Sequence, residues 1–122
     1  MKIRIQGNSV RLRLSRTEVE LLCTEGYIQE NTVFGSSTFS YAVKQDPLLH
    51  ELAAAFHDNQ ITMYVPAAFL ENWARNSIVG LDARMQVGND KELYLLIEKD
   101  FKCLDNVSED QSDNYENPNK TC

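Results

Sequence analysis

The sequence predicts a small α+β domain made of two similar halves, each reading strand–strand–helix–strand–strand, with an acidic tail behind them. Three observations predict it. Short runs alternate polar and apolar residues, the mark of half-buried strands. The order of these runs repeats once along the chain. Beyond Phe101 large apolar side chains nearly vanish and Asn, Asp, Ser and Glu take over, a composition that buries too little surface to offset its ordering entropy.

The first half opens on Lys2–Gln6, where Ile3 and Ile5 alternate with Lys2, Arg4 and Gln6. Gly7-Asn8-Ser9 is a turn signal, and Val10, Leu12 and Leu14 then alternate with Arg11 and Arg13. Two alternating runs across a short polar turn read as a β-hairpin. Ser15 with Glu18 three residues on is a capping box, and Val19, Leu22 and Cys23 repeat on one helical face up to the stop at Gly26. Tyr27–Val33 and the run marked by Phe39, Tyr41 and Val43 make a second strand pair around Gly35-Ser36-Ser37.

Subtracting 51 lays the second half on the first: Ala54 and Phe56 fall on Ile3 and Ile5, Asn59 on Asn8, and Ile61, Met63 and Val65 on Val10, Leu12 and Leu14. Pro66 falls on the cap Ser15, and Leu70, Trp73 and Ala74 on the helical face of Val19, Leu22 and Cys23. The offset then becomes 54, placing Gly80 on Gly26, Val87 on Val33, and Leu93, Leu95 and Ile97 on Phe39, Tyr41 and Val43. Residues 48–57 have helical propensity, but the repeat makes 52–57 a strand. The expected organisation is one domain over 1–104, with repeats 1–46 and 52–100 and a tail over 105–122.

The chain has 122 residues, 43% of them hydrophobic, enough for a core without disulfides or metals. Three cysteines without paired spacing read as reduced thiols in a cytoplasm. The N-terminus lacks the pattern of a secretory signal, no apolar run is long enough for a membrane helix, and the tail sequons at Asn106 and Asn119 read as chance matches. The net charge of −6 argues against a general nucleic-acid coat. Residues 1–45 nevertheless carry six Lys and Arg against four Glu.

Arg4-Ile5-Gln6-Gly7-Asn8-Ser9-Val10-Arg11-Leu12-Arg13-Leu14-Ser15, followed by a helix, resembles the start of the AbrB/MazE swapped-hairpin family. Asp58-Asn59-Gln60 and Met63-Tyr64-Val65-Pro66 resemble a weaker second copy. The resemblance implies a swapped-hairpin-like, pseudo-dimeric barrel in one chain, with a monomer favoured. It also implies a regulator or antitoxin-like protein binding DNA through Lys2, Arg4, Asn8, Ser9, Arg11 and Arg13. Alternation independently gathers the four cations on one hairpin face, where a two-stranded ribbon meets phosphates. The matching positions of the second half, Ala53, Ala55, Thr62 and Tyr64, are not basic, so a symmetric grip lacks one hand. The face is therefore expected to meet DNA, an acidic protein partner or the chain's own acidic tail.

No chemistry stands out. His50 and His57 are the only histidines, no nucleophile motif or phosphate loop is present, and Cys23 reads as core. Asp105, Glu109, Asp110, Asp113 and Glu116 lack the spacing of a calcium loop. The expectation is a non-enzymatic chain without cofactor or metal.

Overall fold

The computed structural model describes residues 1–101 and 112–116. The first hairpin joins β1 (Lys2–Ile5) to β2 (Ser9–Leu14), with Val10, Leu12 and Leu14 buried and Arg11 and Arg13 on the opposite face. Helix α1 (Arg16–Glu25) starts at the expected capping box, where Ser15 Oγ accepts from Glu18 N at 3.3 Å and Ser15 N donates to Glu18 Oε1 at 2.9 Å. It stops at Gly26, whose φ of 77° favours glycine. Strands β3 (Tyr27–Val33), β4 (Thr38–Asp46), β5 (Ala53–His57) and β6 (Gln60–Pro66) follow, so the 52–57 segment forms a strand. The β5–β6 turn holds Asp58 and Asn59 at φ 51° and 63°, the positive pair that a tight two-residue hairpin requires. Helix α2 (Ala67–Leu70), β7 (Gly80–Gln86) and β8 (Glu92–Lys99) complete the elements among the described residues.

The fold class departs from the expected α+β swapped-hairpin-like barrel. The described residues are mostly β, 52% in strands and 13% in helices, arranged as two four-stranded mixed sheets. One sheet runs β1-β2-β8-β7 and the other β3-β4-β6-β5. Helix α2 is a single turn where the sequence pattern predicts a helix reaching Ala74. Pro66 supplies no side-chain cap, so the Ser15–Glu18 device has no counterpart there. Beyond Leu70 the chain closes instead through the Asn72 carbonyl, which accepts from Arg75 N and Asn76 N, each at 3.0 Å. Trp73 is fully buried all the same, with Nε1 donating to the Ile78 carbonyl at 2.9 Å. Its spacing from Leu70 is met by a turn, not by a continued helix.

The pairings follow the sequence offsets closely. Lys2↔Arg13 and Ala53↔Tyr64 are related by 51. The parallel junctions Ser9↔Tyr94 and Gln60↔Ser40 are related by the 51 and 54 offsets together. Asn8 O accepts from Tyr94 N, and Asn59 O from Ser40 N, each at 3.0 Å. Strand β7 is the exception. Tyr27 pairs with Lys44, while Gly80 pairs with Glu98, so β7 sits one residue from the register that matched Gly80 to Gly26. Gly80 therefore ends no helix. It opens β7 against β8, where a Cβ would stand 2.1 Å from the Ile97 carbonyl oxygen.

The inner faces of both sheets share one core, which includes Leu12, Leu14, Val43, Met63, Val65, Leu95 and Ile97. Because β2 runs parallel to β8 and β4 parallel to β6, each sheet has its two hairpin turns at one end. Residues beside these turns in both sheets line one cleft, so the four turns gather at the same end of the molecule. The two helices and residues 112–116 occupy the other end. The sequons, Cys103, Cys122 and the acids Asp105, Glu109 and Asp110 lie outside the described residues.

Candidate functional site

The basic hairpin face is present and largely neutralised from within. Lys2 and Arg4 stand opposite Arg13 and Arg11 across β1 and β2. On β8, Glu98 Oε1 accepts from Arg11 Nε at 2.7 Å and Arg13 Nε at 2.9 Å. Lys2 Nζ lies 3.0 Å from Asp100 Oδ2, and Arg4 Nη2 donates to Gln6 Oε1 at 3.1 Å. The other two residues of this candidate set hold the turn. Asn8 Nδ2 donates to the Glu92 carbonyl at 2.6 Å, and Ser9 Oγ to the Gln6 carbonyl at 2.5 Å. The six predicted residues thus share one region, but three of the four cations face carboxylates on or just after β8. The described tail residues lie beside α1 and the end of β8: Arg16 N donates to the Asp113 carbonyl at 2.9 Å, and Tyr115 N to the carbonyl of Asp100, the residue that pairs with Lys2, at 2.8 Å.

A second feature lies at the hairpin-turn end. The two sheets part there and leave an apolar cleft of about 530 Å³. Its walls come from both sheets: Ile5, Val10 and Leu93 on one side, Phe39, Ala54 and Ile61 on the other, with Met85 and Val87 from β7 and its turn. At its mouth Ile5 is 56% exposed, Phe56 69% and Val87 45%. Ligand sites are commonly concave, mostly apolar and of this volume, and a packed interior leaves no gap this large. Sequence reasoning missed the cleft. Its one trace is the small pair Ala54-Ala55, set where the first hairpin carries Ile3 and Arg4.

The reactive side chains do not converge. His50 and His57 are exposed, and His57 Nε2 lies 3.1 Å from Asp58 Oδ2 at the turn. Cys23 is half-buried, and burial pushes its thiol above the usual range, which keeps it protonated and weakly nucleophilic. Among the described residues no group of three or more His, Cys, Asp or Glu is placed to hold a metal ion. Among the same residues no helix is long and apolar enough to cross a membrane.

Fold and site define a mostly β domain with an open apolar cleft at one end and a self-paired basic face. The chain belongs to the family of unknown function DUF7009, which it matches over residues 1–119. No curated protein and no solved structure matches it. Membership in this family does not carry the AbrB/MazE resemblance with it.

Proposed function

We propose that this chain is a non-enzymatic binding domain whose site is the cleft at the hairpin-turn end. The ligand is an amphipathic molecule with one apolar chain, such as a fatty acyl group. The carrying observation is the cleft's lining, to which all ten contributing residues bring apolar side chains. Such a lining takes up hydrocarbon and leaves the ligand's polar end in water at the mouth. Each buried methylene contributes about 0.8 kcal/mol, so a twelve-carbon chain gains roughly 10 kcal/mol before association costs of several kcal/mol. The DNA reading of the hairpin face is less favoured, because Glu98 and Asp100 already pair with Arg11, Arg13 and Lys2.

The test is titration with a fluorescent polyene fatty acid. The wild type is expected to bind saturably, and Ala54→Phe, whose ring projects into the cleft and narrows it, at least about tenfold more weakly. Absence of saturable binding to the wild type, or equal binding by a folded Ala54→Phe, would overturn the reading.

A further inference from the structure

At the end opposite the cleft, residues 113–115 lie in a groove walled by the start of α1 and the end of β8. Three separate contacts seat them. Main chain pairs with main chain: Arg16 N donates to the Asp113 carbonyl at 2.9 Å, and Tyr115 N to the Asp100 carbonyl at 2.8 Å. The Asp113 carboxylate accepts from Thr17 Oγ1 at 3.0 Å. The Tyr115 ring lies edge-on to Phe101, with centroids 5.8 Å apart, and the Arg16 and Lys99 cations each stand 5.1 Å from its centroid. Backbone pairing of this kind supplies affinity and side-chain slots supply specificity in peptide recognition.

Two further observations separate the groove from its occupant. Lys99, only 4% exposed, is held without the strap, since Nζ donates to the Asn76 carbonyl at 2.7 Å and lies 5.8 Å from the Trp73 ring centroid. The aromatic slot therefore keeps its cation when Tyr115 leaves. The seat is also imperfect, because the Tyr115 hydroxyl is buried with no hydrogen-bond partner among the described residues, an arrangement that weakens binding relative to a ring without the hydroxyl.

We infer that this groove is a peptide-binding site occupied in cis by the chain's own residues 113–115, and that it accepts in trans a segment carrying a carboxylate two residues before an aromatic ring. The partner is a second copy of this chain, whose residues 113–115 are the segment the groove already holds. The site does not depend on the cleft and stands or falls separately from it.

The test uses the full chain carrying Asp113→Ala and Tyr115→Ala, with an acetylated and amidated Ser-Asp-Asn-Tyr-Glu peptide as probe and backbone amide NMR as readout. A short tether supplies an effective concentration in the millimolar range, so a strap seated in cis implies a trans Kd no weaker than that. Saturable shifts at Arg16, Thr17 and Phe101 are expected. The wild type should need several-fold more peptide, and a peptide with Phe in place of Tyr should bind several-fold more tightly. Should the double variant lose its fold, Asp113→Asn in the full chain gives the same comparison. A folded variant without shifts at about 10 mM peptide, or variant and wild type binding equally, would overturn the proposal.

Discussion

The two ends of the molecule are built on the same strand pairings and closed differently. At the helix end Trp73, Leu22 and Leu70 are buried against the core, and the strap lies beside them. At the hairpin-turn end the turns between strands are short, and among the described residues no helix or loop caps the space between the sheets. There Ala54 and Ala55 leave room, and Ile5, Phe56 and Val87 meet water. Register alone therefore does not close a two-sheet core. The chain segments that cross from one sheet to the other, through α1 and α2, close it, and among the described residues both crossings lie at the helix end.

The largest expected effect breaks the closed end. Trp73→Ala should cost about 3–5 kcal/mol, the range for emptying a large aromatic site. Phe56→Ala at the open end should stay within about 0.5 kcal/mol, as for an exposed residue outside the core. Urea unfolding of both variants checks the pair. A comparable loss from Phe56→Ala would mean that the turn end is part of the core.

Glycine substitutions sharpen the contrast at smaller scale. Gly80→Ala sets a methyl against the Ile97 carbonyl at the helix end, where only movement of β7 relieves the clash. A loss of about 2–3 kcal/mol is expected. Gly7, in the first turn, has φ 54°, and a Cβ there would find nothing within 4 Å. Gly7→Ala should then cost only the left-handed backbone penalty, about 1 kcal/mol. Denaturant midpoints separate the two, and a Gly7→Ala loss matching Gly80→Ala would contradict the openness of the turn end.

Much of this architecture was legible because strand alternation and capping are local. Val10, Leu12 and Leu14 declare a buried face by period two, and Ser15 with Glu18 declares a helix start. The neighbours of each strand were not legible, since alternation fixes which face is buried and not which strand lies alongside. For the same reason the parallel pairing of Arg13 with Glu98, 85 residues away, was invisible, and the hairpin cations looked free. Helix α2 was over-read because Leu70, Trp73 and Ala74 also satisfy helical spacing when a turn buries Trp73. The cleft had almost no signal. It is a volume left between two sheets, and no residue's own pattern records it.

The smallest expected effects lie in the strap and test how firmly the helix end is closed. The Asp113 carboxyl is held below the usual carboxylate range, first by the Ser15 hydrogen bond, then by Thr17 and the Arg16 charge. A carboxyl depressed in the folded state contributes above its unfolded pKa and loses that contribution as pH falls through its folded value. Strap closure should therefore persist at neutral pH and fade in acid, seen as a lower protection factor for the Tyr115 amide relative to its intrinsic exchange rate at each pH. Asp113→Asn should remove most of that pH dependence. Lys99 has the opposite sign: burial lowers its pKa, so the folded state binds its proton less well than the unfolded chain does. That penalty is present at neutral pH and is relieved as pH rises through the lowered value. Tyr115→Phe removes the unpartnered hydroxyl and keeps the ring between Arg16 and Lys99. It should slow exchange at the strap amides by a factor corresponding to about 1 kcal/mol. Faster exchange in that variant would mean that the hydroxyl has a partner, and that the helix end is closed more tightly than its contacts indicate.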